Sequence, residues 1–318
     1  MSLAPPLQQL IAAKLAHART PQWELPIVEV RHIFADLWTP AITGAPVAIG
    51  AVEDRVIPGR SGAIPARIYT PEAAAGPLLM YFHGGGYVKG GLDEADAFCR
   101  RLARATGRIV VAVGYRLAPE HPFPAALDDA WDATAWAFRH AADLGSDVHA
   151  FAVSGESAGG NLAAVVCHLA RSTGDVAIAA QVLLQPVVDF TLSFASIAMP
   201  ATECLVPRDD LAWYYREYYS TDRDLRDPLV SPLWAEDLAG LPPALIIAAE
   251  YDSLRDEANA YAERLRAAGV VVQHACYPGM VHGFLQMAGL VDAAQQAIDQ
   301  IAAFLRDTTP GSRPSRAP

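Results

Sequence analysis

Ser157 is the residue best placed to do chemistry. It stands in Ser154-Gly155-Glu156-Ser157-Ala158-Gly159-Gly160, directly after the apolar run Phe151-Ala152-Val153 and directly before the small residues Asn161, Leu162, Ala163 and Ala164. A serine on so tight a strand-to-helix turn needs neighbours two positions away without side chains, and Gly155 and Gly159 meet that need. The hydroxyl then projects from the strand end, the N–H of Ala158 is free to meet a developing oxyanion, and the helix beginning there adds its positive end. The chemistry of such an arrangement is acyl transfer through a covalent intermediate. The bland alternative is an ordinary strand–turn–helix, so the residues around it must decide.

His83-Gly84-Gly85-Gly86 follows another apolar run, Leu78–Phe82. Consecutive glycines expose backbone N–H groups with no side chains between them. Gly84 and Gly85, with Ala158, supply three donors for an oxyanion hole, while His83 and Gly86 support the loop. A phosphate cradle would require the P-loop Lys and Ser/Thr or a GxGxxG pattern, and neither is present. The base is expected after the last strand, where His282-Gly283-Phe284 stands. Its orienting acid is expected at the end of the preceding strand, where Asp252 fits best, with Glu250 and Asp256 as alternatives. Ser157, Asp252, His282 is the chain order of α/β-hydrolases. His17, His140, His168 and His274 fall within expected helices or strands and read as structural.

Strand and helix patterns alternate from residue 78 onward. The expected strands are Leu78–Phe82, Ile109–Val113, Ala150–Val153, Ala179–Leu184, Ala244–Ala249 and Val270–Tyr277. The helices are Asp93–Thr106, Ala125–His140, Ala158–Ser172, Asp256–Ala268 and Val291–Leu305. A hairpin, Val52–Ile57 with Ala66–Tyr69, precedes them and brings the strand count to eight. Strands this apolar are buried on both faces, so the fold class is α/β, a mostly parallel sheet flanked by helices. Some sixty residues separate the strands at Leu184 and Ala244, including the aromatic helix Arg208–Tyr219; an insertion of that length has a job such as covering a site.

The chain has 318 residues, 52% apolar, and a net charge of −11, with no basic stripe to neutralise phosphates, which argues against a nucleic-acid partner. The same charge disfavours an anionic membrane surface. The first 18 residues lack a continuous apolar stretch, so neither a signal peptide nor a membrane span is expected. Cys99, Cys167, Cys204 and Cys276 are scattered singly, without metal-ligand spacing; reduced thiols and a cytoplasmic location follow as expectations. No metal and no cofactor is expected.

The blocks His83–Gly86, Tyr115–Ala126, Gly155–Gly160, Asp252–Glu257 and His282-Gly283-Phe284 occur in order over residues 78–284, and in them the chain resembles the bacterial hormone-sensitive-lipase-like esterases. The resemblance implies a cofactor-independent carboxylesterase with a helical cap over an α/β-hydrolase core. The cap would comprise residues 1–45 and 188–230, the catalytic domain residues 46–187 and 231–307, with 308–318 a flexible tail. Two positions depart from the family pattern. Glu156 stands where Asp or Thr is usual, and Ser253 where Pro is usual. An aromatic pocket of Tyr87, Val88, Trp213, Tyr214, Phe194, Trp38 and Phe34 would favour short- to medium-chain acyl groups. The nearest rival is an amide or lactam hydrolase of the same fold, because fold and triad do not fix the leaving group. A non-catalytic small-molecule receptor is the rival from another class, and the presence of His282 weighs against it. The last strand would lie at a sheet edge, so a homodimer through that edge is expected.

Overall fold

A computed structural model describes residues 2–17, 20–72, 76–146, 148–220 and 222–308. The expected tail beyond Thr308 lies outside them. Three helices open the chain: α1 (Pro5–His17), α2 (Ile27–Leu37) and α3 (Pro40–Thr43). A hairpin of β1 (Ala51–Gly59) and β2 (Gly62–Thr70) follows. Alternation then begins with β3 (Leu78–Phe82), α4 (Leu92–Thr106), β4 (Ile109–Val113), α5 (Ala125–Arg139), β5 (Ala152–Glu156), α6 (Ala158–Thr173) and β6 (Ala180–Leu184). After α7 (Arg208–Tyr219) come β7 (Ala244–Tyr251), α8 (Arg255–Ala267), β8 (Val272–Val281) and α9 (Ala293–Asp307). The eight strands form one sheet in the order β1-β2-β4-β3-β5-β6-β7-β8. β1 and β2 pair antiparallel, as do β2 and β4; every other pair is parallel.

Burial follows the pleat. Leu78, Met80 and Phe82 of β3 enter one core with α5, α6 and α8; Leu79 and Tyr81 enter a second with α1, α4 and α9. Each fully buried Leu, Ile or Val contributes about 1.5–3 kcal/mol of apolar transfer. Uninterrupted apolar strands therefore specify a sheet covered on both faces, whose carboxyl edge is left to carry polar residues. No helix among the described residues is long and apolar enough to cross a membrane.

Several strands run longer than expected, and two of these extensions bear on the site. β5 runs on to Glu156, because Ser154, Gly155 and Glu156 pair with Val182, Leu183 and Leu184 of β6. β8 runs on through Pro278 and Gly279 to Val281, so His282 leaves directly from a strand end instead of from a loop. Pro278-Gly279 reads as punctuation, yet a register irregularity between Ala249 and Tyr251 carries the ladder past it to the pair Tyr251–Val281. Gly279, at φ +71°, donates its N–H to the Glu250 carboxylate at 2.7 Å.

Candidate active site

Ser157 has φ 57° and ψ −118° at the boundary between β5 and α6. A non-glycine residue there costs about 1–3 kcal/mol and persists only where its surroundings impose it. The imposition is steric and hydrogen-bonded. A Cβ on Gly155 would lie 2.1 Å from the Gly159 carbonyl oxygen, and one on Gly159 would lie 2.0 Å from that of Phe82. Strand and helix thus meet at a separation only glycine permits. The Ser157 N–H donates to Leu184 O at 2.8 Å, while Val187 N–H and Asn161 N–H donate to Ser157 O at 3.1 and 3.0 Å.

The glycine loop closes over this turn. A Cβ on Gly84 would stand 3.5 Å from the Ser157 Cβ, so the two segments are in contact. Among the hydrogen bonds of the described residues, the amides of Gly84, Gly85 and Ala158 donate to no protein acceptor. His83 supports the loop from behind. Its Nδ1–H donates to Gly84 O at 2.7 Å, its ring stacks on Tyr115 with centroids 4.2 Å apart, and Tyr115 Oη donates to His83 O at 2.7 Å. Burial lowers the His83 imidazole to about 4, so it is neutral at ordinary pH. Gly86, at φ +62°, lies flat against Tyr214: an added Cβ would be 2.4 Å from that ring.

Asp252 and His282 leave the carboxyl ends of β7 and β8. His282 Nδ1–H donates to Asp252 Oδ2 at 2.9 Å, and Asp252 Oδ1 accepts from Leu254 N–H at 3.0 Å. The two other acids considered for this position are committed elsewhere. Glu250 accepts from Gly279 N–H, and Asp256 accepts from Ser196 N–H at 2.9 Å. Burial opposes charging the His282 imidazole, but the attraction of the Asp252 carboxylate outweighs it, with a smaller push from Glu156, and its pKa lies above 6.5. Asp252 is 1% exposed whereas Ser157 and His282 keep 7% and 8%, so the acid is sealed while the other two reach the surface. The Ser157 hydroxyl makes no side-chain hydrogen bond among the described residues. The Glu156 side chain joins this turn to the His282 segment: its Oε1 would lie 3.6 Å from a Cβ on Gly283. Glu156 also accepts from Gln286 Nε2 and, at 3.5 Å, from Tyr81 Oη; burial raises its pKa.

The residues expected to line a pocket divide. Tyr214 covers the glycine loop, Trp38 stands 3.5 Å from a Cβ on Gly283, and Phe34 packs edge-on to Trp38 with centroids 5.7 Å apart. Lys89 Nζ lies 4.9 and 5.0 Å from the Phe34 and Tyr214 ring centroids and donates to Gln22 Oε1 at 3.0 Å; burial lowers its ammonium to about 7. Trp213 packs on Tyr214, and Phe194 is half-buried against the larger core. Tyr87 and Val88 expose no surface. The loop curls back, with the N–H groups of Val88 and Lys89 bonded to Gly85 O, so these two side chains enter the core, where Tyr87 stacks on Tyr218 at 3.8 Å. They back the loop instead of facing a cavity.

Sequence reasoning overlooked two contributors. Gln185 and Arg31 carry no local motif, and only the tertiary structure shows what they hold. Arg31 of α2 donates to Val88 O at 2.9 Å and Ala118 O at 3.0 Å, and pairs with Glu120 at 2.6 Å. All four cysteines are free thiols, three of them buried. No cluster of three His, Cys, Asp or Glu side chains among the described residues could hold a metal ion.

A nucleophile turn, a glycine loop and an acid-bonded histidine at one sheet edge define a class of α/β architecture. A family model for the alpha/beta hydrolase fold matches residues 79–286. The chain belongs to that family, in its hormone-sensitive-lipase-like esterase branch. It is 44% identical over 262 residues to the carboxylic ester hydrolase LipN of Mycobacterium tuberculosis, covering 80% of this chain and 70% of that protein. It is 37% identical to an ethyl acetate hydrolase of Pseudomonas putida, covering 96% and 97% of the two chains. A hyperthermophilic esterase from the archaeon Pyrobaculum calidifontis superposes with a TM-score of 0.92 at 41% identity, covering 96% of this chain and 99% of that one.

Proposed function

We propose that the protein is a serine carboxylesterase that hydrolyses short- to medium-chain carboxylic esters through an acyl-enzyme on Ser157. The observation that carries the reading is the strained Ser157 backbone at the carboxyl end of β5, together with the Asp252–His282 hydrogen bond at the carboxyl ends of β7 and β8 in the same sheet. Relatives named as ester hydrolases over most of the chain support the reaction class.

In this reading His282 Nε2 accepts the Ser157 Oγ proton as Oγ bonds to the ester carbonyl carbon. The carbonyl π pair moves onto its oxygen, which the N–H groups of Gly84, Gly85 and Ala158 hold. As the carbonyl re-forms, the C–O bond to the alcohol breaks, and the imidazolium returns its proton to the departing oxygen. A water, deprotonated by His282, repeats the sequence to release the acid and regenerate Ser157. Asp252 keeps the proton on Nδ1, so Nε2 is the basic nitrogen, and stabilises the imidazolium.

The cap reading assigns residues 1–45 and 188–230 to cover this edge. Tyr214, Trp38 and Phe34, drawn from both stretches and set around the glycine loop and Gly283, support it. The β8 edge supports pairing with a second copy, because among the described residues no further strand lies outside it and the adjoining Val271 is 66% exposed. Four free thiols suit a reducing, cytoplasmic setting.

The test is Ser157→Ala with p-nitrophenyl butyrate and the matching anilide. The parent enzyme turns over the ester far faster than the anilide, and the substitution lowers ester turnover by about 10⁶-fold. Hydrolysis surviving in Ser157→Ala removes the nucleophile assignment, and faster anilide than ester turnover makes the protein an amidase.

A further inference from the structure

The segment Leu184–Val187 begins at the last residue of β6 and bonds to the surroundings of all three residues of the proposed triad. Its main chain holds Ser157, through Ser157 N–H to Leu184 O and Val187 N–H to Ser157 O. Its one polar side chain, Gln185, turns toward the other two. Gln185 Nε2 donates to Asp252 Oδ2 at 2.9 Å and to Val281 O at 3.0 Å, and Gln185 Oε1 accepts from Gly283 N–H at 2.7 Å. The amide is therefore bonded to the acid and to the main chain on both sides of His282, and its carboxylate acceptor is the oxygen that also accepts from His282 Nδ1.

These partners dictate both the residue type and its orientation. Asp252 Oδ2 and Val281 O can only accept, whereas Gly283 N–H can only donate. A primary amide supplies two donors and one acceptor in that arrangement; rotated by half a turn, it would oppose like to like at all three contacts. The backbone is shaped to deliver it. Gln185 has φ 46°, a left-handed conformation uncommon outside glycine, and its N–H donates to Ile247 O at 2.6 Å on β7. The side chain is 1% exposed, so water does not substitute for its bonds.

We propose that Gln185 is a positioning residue for the reaction: it fixes the direction of the Asp252 carboxylate and the rotation of the His282 main chain, so that the imidazole presents Nε2 to Ser157. The proposal rests on the triad reading above. Gln185 touches neither substrate nor reacting atoms; it acts through the acid and the base. Preorganisation of this kind is sensitive to shifts of about 1 Å, which can cost about 10²-fold in rate.

The experiment measures kcat, KM and the pH dependence of kcat/KM for p-nitrophenyl butyrate on the full chain, with each variant checked for folding by thermal melting. Gln185→Met fills the space but makes none of the three bonds. Its kcat is expected to fall about 10- to 100-fold with KM moving less than about threefold, because orientation and not ground-state binding is lost. Gln185→Glu keeps the shape and places a second carboxyl beside Asp252. Two buried carboxyls this close share a proton and repel once it leaves, so the balance that sets the His282 proton changes and the acid limb of kcat/KM moves by more than about half a pH unit. A merely structural amide would lower melting temperature in both variants while leaving kcat per folded molecule and the acid-limb midpoint at parental values, and that result overturns the proposal. If Gln185→Met fails to fold, the isosteric Glu variant decides by its midpoint alone. Ser157→Ala is assayed alongside. Activity there would remove the triad reading itself, whereas an inactive Ser157→Ala beside a parent-like Gln185→Met removes only the role of Gln185.

Discussion

Replacing Gly159 by Ala tests whether close approach of strand and helix at the turn is what positions Ser157. The added Cβ would lie 2.0 Å from Phe82 O, 2.5 Å from Phe82 C and 2.5 Å from His83 O, all of them backbone atoms. Real Cβ atoms essentially never come within 3.0 Å, so β3 and α6 must separate by at least 1.0 Å. No flexible side chain is available to absorb the shift, and both elements are buried. Overpacking of this kind costs about 3 kcal/mol, at the upper end of its usual range. For a domain of this size that lowers the melting temperature by about 4–5 °C. The same displacement carries Gly84 and Gly85, which follow Phe82, away from Ser157, and should lower kcat about 10²-fold. Gly174→Ala is the control. Its Cβ meets nothing within 4 Å, but φ +73° is strained for alanine, so it should cost about 1 kcal/mol and leave kcat unchanged. The assay is p-nitrophenyl butyrate turnover with melting curves on both variants. Parental kcat in Gly159→Ala, with a melting temperature no lower than that of Gly174→Ala, would refute the steric argument.

Further expectations concern charge and the proposed cap. In the proposed mechanism a neutral His282 is the base, and its pKa lies above 6.5 because Asp252 outweighs the effect of burial, so kcat/KM should rise with pH through a midpoint above 6.5. Asp252→Asn should move that midpoint below 6.5 and lower kcat by about 10⁴-fold; an unmoved midpoint excludes Asp252 as its cause. Glu156 has a folded pKa raised above 4.5 by burial, so the folded state holds its proton more tightly than the unfolded chain. Its stabilising contribution is present below the unfolded pKa and is lost as pH rises through the folded one. Glu156→Gln should accordingly melt higher than the parent near pH 8 and level with it near pH 4; a difference independent of pH contradicts this. Arg31→Ala removes the bonds from α2 to Val88 O and Ala118 O, while its ion pair with the 47%-exposed Glu120 contributes little. A loss of about 1–3 kcal/mol and faster proteolysis within residues 1–45 are expected, and parental protease resistance would argue against α2 as an anchor.

The residues that sterics alone single out were the legible ones. Gly155 and Gly159 betray the turn because no other residue fits, and the apolar runs of β3 and β4 betray a doubly covered sheet because polar residues there would be buried unpaired. The spacing of Asp252 and His282 anticipated a pair that the fold joins by one hydrogen bond. Strand ends were less visible. Ser154 to Glu156 and Pro278-Gly279 look like loop, and only pairing with β6 and the irregular register of β7 keep them in the sheet. Tyr87 and Val88 sit next to the glycines in sequence, but the positive φ at Gly85, Gly86 and Tyr87 turns them inward. Gln185 left no trace beyond being a polar residue directly after an apolar strand, since its three partners lie 67 to 98 positions away.

Covalent trapping addresses the central claim most directly. A fluorophosphonate ester should add one phosphonyl group per chain, located on Ser157 by peptide mass spectrometry, with labelling that slows in Asp252→Asn and is absent from Ser157→Ala. A stoichiometric adduct on another residue, or a folded enzyme that turns over p-nitrophenyl butyrate without labelling, would contradict the mechanism.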